Sequence, residues 1–372
     1  MFHLIFSLPC LFVIARFLWP LSLPLSVKAA TALLLLVASQ YHLWSRLSSG
    51  SVFSPEFPRS IVIVFNWAFG AIVLLAVLQL ALDMSTAIAF VIGRGGITIH
   101  DNIRYAMAGV AGLLSAIGVY QAVRVPPLKD VEIGIRGLPS QFDGYKILQL
   151  TDLHISRLFP AEWTRAVVAR SNALGSDLIV VTGDLIDGPL AARRSDIAPL
   201  ADLRAADGIY VIPGNHEYFF SYPEWMRHYA RLGMRVLENG HAVLSRGGRR
   251  LVLAGVTDLS ATGSGYAPPD LSAALVGAPS GAPVLLLDHQ PMRAREAAKR
   301  GVSLQLSGHT HGGMIRGLDR LVARSNGGFV SGRYEVDGMT LYVNNGTGLW
   351  PGFALRLGRP SELTRITLRQ TR

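Results

Sequence analysis

The stretch Val302-Ser303-Leu304-Gln305-Leu306-Ser307-Gly308-His309-Thr310-His311-Gly312-Gly313 is where the fold is read. An apolar run ends, and two imidazoles one residue apart follow it between glycines. The run predicts a buried strand. The glycines permit sharp turns and close backbone approach. The histidines then leave the C-terminal end of the strand in a loop, where open α/β sheets place their ligands. Taken alone, a His-x-His pair is a weak signal, because short motifs recur by chance in polar loops. The preceding chain strengthens it. Asp152-Leu153-His154, Gly183-Asp184-Leu185-Ile186-Asp187, Gly214-Asn215-His216-Glu217 and Asp288-His289-Gln290-Pro291 each follow an apolar run of their own. Five polar clusters at strand ends are expected to converge on one edge of one sheet.

Working outward, residues 131–135 alternate and read as an edge strand. Apolar runs at 145–150, 178–181, 209–212, 242–244, 251–256, 284–287, 333–336, 340–343 and 363–368 read as further strands. Helical periodicity appears at 160–174, 195–203, 223–232 and 292–299. Strands alternating with helices predict an α/β domain whose sheet is covered by helices on both faces. No internal repeat or low-complexity tract interrupts it.

Residues 1–124 are different in kind. They hold seven Lys/Arg and only three Asp/Glu, with most of the long apolar runs. A bilayer core of about 30 Å needs roughly 20 apolar residues in helix. Four stretches approach that, at 4–21, 27–44, 60–82 and 105–123, with Trp19, Trp44, Tyr41, Tyr105 and Tyr120 near their ends as interfacial aromatics. The first lacks a basic leader and a small-residue cleavage site, so it is expected to be retained. Residues 84–99 read as an interfacial segment or an extension of the third helix, broken at Gly93-Arg94-Gly95-Gly96. The expected organisation is a multi-span region over 1–124, a linker and edge strand over 125–144 stiffened by Pro126-Pro127, and a catalytic domain over 145–372. With four spans, Arg46, Arg59, Arg124, Lys129 and Arg136 fall on one side and Arg16, Lys28, Arg94 and Arg104 on the other. The positive-inside rule then leans toward a cytoplasmic C-terminal domain.

The net charge of +10 comes from scattered basic residues, which does not indicate nucleic-acid binding. Attraction to anionic headgroups of a lipid bilayer or to phosphorylated substrates accounts for the sign equally well. The only cysteine, Cys10, excludes an intrachain disulfide. Few charges lie within the spans, which argues against a transporter.

Imidazole, carboxylate and amide ligands together suit borderline metals such as Mn, Zn or Fe; an all-oxygen shell would point to Mg or Ca. Asp152, His154, Asp184, Asn215, His289, His309 and His311 are seven candidates, too many for one ion. With one bridging carboxylate they would serve two, as in two-metal phosphate enzymes.

In this order the five blocks resemble the signature of the calcineurin-like metallophosphoesterase superfamily, over roughly 146–368. Thr151-Asp152-Leu153-His154 and His309-Thr310-His311-Gly312-Gly313, behind apolar helices, resemble its membrane-anchored bacterial branch. Met314 stands where that branch often has glutamine. The resemblance implies an αββα-type domain and two divalent ions, Mn foremost, with Zn, Fe or Mg as alternatives. It implies Asp152, His154 and His311 on the first ion, Asn215, His289 and His309 on the second, and Asp184 bridging. A metal-bridging hydroxide would attack phosphorus. His216 would donate a proton to the leaving group or stabilise charge on it, Glu217 would orient His216, and Asp187 would hold a ligand histidine. Asn344, Asn345 and Arg356 are candidate substrate contacts, while His100, His228 and His241 match no block. The expected function is a phosphohydrolase of the bacterial inner membrane, acting on a phosphodiester or pyrophosphate. A lipid-linked substrate such as UDP-2,3-diacylglucosamine of lipid A synthesis is one instance. Leu158, Phe159, Trp163, Trp350 and Phe353 read equally as core or as a lipid-facing edge. The alternative is a non-catalytic, metal-bound regulatory or partner-binding membrane module, which would not need both His216 and a bridging Asp184. The sequence leaves the oligomeric state open.

Overall fold

Short apolar runs between turn residues build twelve strands. In chain order these are β1 Leu128–Arg136, β2 Lys146–Leu150, β3 Leu178–Thr182, β4 Ile209–Ile212, β5 Arg235–Val236, β6 Gly240–Arg246, β7 Arg249–Gly255, β8 Val284–Leu287, β9 Leu304–Ser307, β10 Gly332–Val336, β11 Met339–Val343 and β12 Leu363–Thr371. The computed structural model describes residues 2–93 and 97–371, without the side chains of 2–6. The expected break at Gly93-Arg94-Gly95-Gly96 therefore lies, from Arg94 on, outside the described residues.

The strands form two six-stranded sheets, not the single sheet the alternation suggests. The first has the order β1-β12-β2-β3-β4-β5 and the second β10-β11-β9-β8-β7-β6. Within each, a parallel block (β2 to β5; β7, β8, β9 and β11) points the same ends toward one edge. Ile147, Val180, Tyr210 and Ile212 of the first sheet share one buried cluster with Leu253, Leu285, Leu287, Leu304 and Leu306 of the second. The sheets thus pack face to face, the helices being left to the outer faces. On the outer face of the second sheet, Ala254, Leu286, Leu341 and Val343 pack with Ala294 and Ala297 of the helix Ala294–Lys299. Alternation cannot reveal a second sheet when strands buried on both faces read as unbroken apolar runs.

Gln149 is fully buried between the layers. Its amide donates to Thr182 Oγ1 (3.0 Å) and to the Ser307 carbonyl (3.1 Å), tying β2 and β3 to the end of β9. A polar side chain there stabilises only because both donors are used.

The chain divides into two compact units. One comprises residues up to Ala122 together with Pro351–Leu357, and the other Val123–Trp350 together with the chain from Gly358 on. The first contains α1 Phe2–Val13, continued as a π-helical turn to Leu18, then α2 Leu25–Ser39, α3 Tyr41–Ser49, α4 Arg59–Val91 and α5 Asp101–Val123. By length and composition, α4 with 33 residues and α5 with 23 are long and apolar enough to cross a bilayer. The sequence predicts four spans; α2, at 15 residues, covers only about 22 Å. The expected 27–44 helix is broken at Gln40 (φ −85°, ψ 17°), and the expected third helix continues past 82 to Val91. Val64, Val77, Leu80 and Leu113 are exposed, so α4 and α5 keep apolar outer faces. Inside this unit, buried Asn66 donates to the Pro351 carbonyl (3.0 Å) and accepts from Ala354 N–H (2.6 Å). The Tyr41 hydroxyl also donates to Pro351 O (2.8 Å), and a Cβ on Gly118 would fall 2.6 Å from Leu355.

Replacing Gln149 with Met keeps its length and removes both donors. We expect destabilisation by about 1–3 kcal/mol, because Ser307 O and Thr182 Oγ1 lose a buried partner. The check is a lower thermal midpoint in detergent, with the secondary-structure spectrum unchanged.

Candidate metal centre

Five of the parallel strands end in chemistry-bearing residues. β2 runs into Asp152 and His154, and β3 into Asp184 and Asp187. β4 runs into Asn215 and His216, β8 into His289, and β9 into His309 and His311. The turns that follow are unusual. Asp152 (φ 50°), His154 (φ 45°), Asp184 (φ 54°), His309 (φ 67°) and His311 (φ 49°) all adopt left-handed backbone. Non-glycine residues seldom do so, and the observation points to function because such strain survives only where the surroundings impose it. Glycines make room for it. A Cβ on Gly308 would lie 2.3 Å from Asp152 Oδ2, and one on Gly214 would lie 2.2 Å from Asp184 Oδ1.

The side chains gather into overlapping groups: Asp152, His154 and His311; His154, Asp184 and His216; Asp184, His289 and His309. His289 Nδ1 donates to the Thr182 carbonyl at 2.7 Å, leaving its Nε2 lone pair inward. That nitrogen faces Asp184 Oδ2 at 3.3 Å and Asn215 Oδ1 at 3.2 Å. Asn215 Oδ1 also lies 2.9 Å from His309 Nδ1. On the other side, His154 Nδ1 donates to Asp187 Oδ2 at 3.0 Å, so its Nε2 faces inward. It lies 3.3 Å from His311 Nε2, 3.8 Å from Asp184 Oδ2 and 3.9 Å from Asp152 Oδ1. Ligand atoms each about 2.1 Å from one ion stand roughly 3.0–3.4 Å apart. The inward spacings are close to that, and the groups facing one another are lone pairs and carboxylate oxygens. The residues fit two divalent cations, with Asp184 common to both sides.

The electrostatics carry the same demand. Burial alone raises a carboxyl pKa, but His289, His216 and His154 outweigh it and hold Asp184 well below the usual range. Asp152 goes the other way: burial, with Asp184 nearby, raises it. Burial and the neighbouring His289 push His309 down to about 3. Burial favours neutral His216, yet Asp184 and Asp187 bring it up to about 9. Bound divalent cations would act against that rise.

Asp187 holds two histidines at once. Its Oδ2 takes His154 Nδ1 and its Oδ1 takes His216 Nδ1. His216 Nε2 is left pointing inward, 3.9 Å from Asp184 Oδ2, and its backbone N–H donates to Asp184 Oδ1 at 2.8 Å. Glu217 is placed otherwise than expected. Its carboxylate accepts from the backbone N–H groups of Gly214 (2.7 Å), Leu185 (2.8 Å) and Asp184 (3.1 Å), and from the Tyr229 hydroxyl (2.9 Å). It binds two loops together, and Asp187 orients the His216 ring.

Asn344 and Asn345 are buried and engaged with protein, not presented to a ligand. Asn344 donates to Thr364 Oγ1 and accepts from Gly346 N–H; Asn345 accepts from Ser331 Oγ and donates to Pro360 O. Arg356 belongs to the helical unit, where its backbone N–H donates to Gly118 O (3.0 Å). Leu158, Phe159 and Trp163 are core, with Phe159 packed on Trp163, and do not form a lipid-facing edge. Sequence reasoning missed the brace on the Asp152 turn: Thr347 N–H donates to Thr151 O (2.8 Å) and Gly348 N–H to Asp152 O (2.9 Å). Its signal is the glycine pair in Asn344-Asn345-Gly346-Thr347-Gly348, where a Cβ on Gly348 would sit 2.2 Å from Leu153 O.

Residues 145–313 match the family model described as calcineurin-like phosphoesterase. A transmembrane protein with metallophosphoesterase domain from Danio rerio is 34% identical over 270 residues, covering 70% of this chain and 61% of that protein. An uncharacterized metallophosphoesterase of Campylobacter jejuni is 30% identical over 298 residues, covering 78% and 77%. Another, from Bacillus subtilis, is 32% identical over 273 residues, covering 70% and 93%. The likeness thus extends beyond bacteria, and the chain spans about three fifths of the length of the animal relatives it matches.

Exchanging Glu217 for Gln turns an acceptor of three backbone N–H groups into a group carrying its own donors. The loops at Asp184 and Gly214 should separate, costing about 1–3 kcal/mol. We expect a lower thermal midpoint together with reduced metal content by elemental analysis. Unchanged values for both would show that the carboxylate is not the tie between the loops.

Proposed function

The chain belongs to the calcineurin-like phosphoesterase family, and from that premise we propose that it is a membrane-anchored hydrolase of phosphodiester or pyrophosphate bonds. The observation that carries this reading is the convergence of five strand-end loops on Asp184, whose Oδ2 has the inward nitrogens of His154, His216 and His289 within 3.3–3.9 Å. Asp152, His154 and His311 would hold one divalent cation, and Asn215, His289 and His309 the other, with Asp184 between them. When bound, the cations would supply Lewis acidity toward phosphoryl oxygens and an acidified water. Manganese is our choice for the mixed imidazole, carboxylate and amide set, with zinc, iron or magnesium as the other outcomes of elemental analysis.

The chain's own residues have separate tasks in this reading. Asp187 fixes the tautomer of His154, which keeps a lone pair directed inward. Through its other oxygen it holds His216 with Nε2 toward the reacting bond. His216 would carry a proton to the departing oxygen, which needs no ligand role. Glu217, by tying the Asp184 and Asn215 loops, sets the distance between the two ligand groups.

For the substrate we propose an amphiphile with its phosphodiester or pyrophosphate near the headgroup, UDP-2,3-diacylglucosamine being one instance. The long apolar helices α4 and α5 support this, together with the transmembrane naming of the animal relatives. A soluble nucleotide or sugar phosphate would require no such anchor.

Two variants separate the roles. Asp184→Asn should abolish turnover and lower the content of both metals. His216→Ala should keep the metals and reduce kcat by roughly 10²–10⁴-fold, the range for a lost general acid. Metal loss in the His216 variant would contradict the assignment. For the substrate, kcat/KM in detergent micelles should be higher for a lipid-linked pyrophosphate than for its headgroup alone. Equal values would remove the lipid from recognition.

A further inference from the structure

The segment that leaves the His309-x-His311 loop carries a surface that the metal centre does not use. Its sequence is Met314-Ile315-Arg316-Gly317-Leu318-Asp319-Arg320-Leu321-Val322-Ala323-Arg324-Ser325, helical over Asp319–Ser325. Arg316, Arg320 and Arg324 are exposed, and their guanidinium groups have no hydrogen-bond or ion-pair partner among the described residues. Leu318 and Leu321 stand 48% and 57% exposed beside them. Two half-exposed leucines and three arginines without a partner among the described residues thus fall within nine residues.

The segment is nevertheless held firmly. Asp319 accepts from Arg359 Nε at 3.1 Å and from Gly317 N–H at 2.9 Å. Ile315 forms a β-bridge with Gly358, and a Cβ on Gly313 would fall 2.4 Å from Asp319 Cα. The helix therefore starts directly against the glycines of the ligand loop. Its inner side is fixed by Asp319, and its outer side presents Leu321 between Arg320 and Arg324. Leucines that enter the acyl boundary, flanked by arginines at headgroup level, are the pattern of a helix lying in a membrane interface. A soluble acidic partner would be served by the arginines but not by the leucines.

We propose that residues 316–324 dock the phosphoesterase domain onto an anionic lipid surface. Phosphate headgroups pair with the three arginines, and Leu318 and Leu321 insert among the first acyl carbons. The proposal does not rest on the assigned chemistry of the metal centre, because docking is read without turnover.

The test uses the full-length chain in vesicles of phosphatidylcholine alone or mixed with phosphatidylglycerol. In a Cys10→Ala background, Leu321→Cys carries an environment-sensitive fluorophore. Val276→Cys, at a site 77% exposed and far in sequence, serves as the control. Expected are a blue shift and quenching by spin-labelled lipid at position 321 but not at 276, both growing with phosphatidylglycerol. Arg316→Gln, Arg320→Gln and Arg324→Gln should each reduce the docked population about fivefold. Unchanged metal content confirms that these variants are folded. Equal quenching at 321 and 276, or quenching indifferent to phosphatidylglycerol and to the arginines, would overturn the proposal. So would a blue shift produced by a soluble polyanion without any quenching from the lipid.

Discussion

Two carboxylates, Asp152 and Asp184, are almost completely removed from water, at 0% and 2% exposure. Buried charge is tolerated only where opposite charge and hydrogen bonds replace the lost solvent. The loops around the site are shaped by that requirement. His309 N–H reaches Asp152, His216 N–H reaches Asp184, and imidazoles surround both carboxylates. Delivering these groups to one point from the ends of parallel strands takes sharp reversals, and five of the ligand candidates turn through left-handed backbone. At about 1 kcal/mol or more apiece, that strain totals on the order of 5 kcal/mol. A domain's whole margin is about 5–15 kcal/mol. Strain of that size has to be outweighed by the hydrogen bonds and packing of the surrounding loops. Cations that bind only the folded state offset it by mass action.

How far the sequence discloses this depends on whether a feature is local. A strand run followed by Asp-x-His or His-x-His is local, so the strands and the ligand candidates are legible. The pairing of strands is not. β6 to β11 form a second sheet because Leu285, Leu287, Leu304 and Leu306 meet Ile147 and Val180 across the core, and no periodicity records that meeting. Glu217 illustrates the same limit. Beside His216 in sequence, it reads as that residue's partner. Its position in the first turn of a five-residue helix instead aims it back at the N–H groups of Gly214, Asp184 and Leu185. Asn344 and Asn345 look available as polar residues in a glycine-rich loop, yet their amides are taken up by Gly346, Thr364, Ser331 and Pro360, most of them distant in sequence. In the first third, hydropathy registers apolar length but not Gln40, where one helix ends and a more polar one begins.

Asp187 is the residue in which the separate parts of the site become one mechanism. The sequence has it steady a single ligand histidine, whereas each of its oxygens holds a different ring. Because both rings present Nδ1 to it, both present Nε2 inward; under the proposed reading one would serve as an electron-pair donor and the other as a proton carrier. The two differ in surroundings, since His154 Nε2 lies 3.3 Å from His311 Nε2 while His216 Nε2 lies 3.9 Å from Asp184 Oδ2. A cation held at His154 is thereby kept at a fixed distance from the group that would protonate the leaving oxygen. Burial opposes ionisation of Asp187, and the two histidines outweigh it, so its carboxyl stays below the usual range. A neutral amide at this position could accept from one ring while confronting the other with its own N–H groups. Ligand geometry and proton delivery then could not both be right, which is why a carboxylate with two equivalent oxygens belongs there.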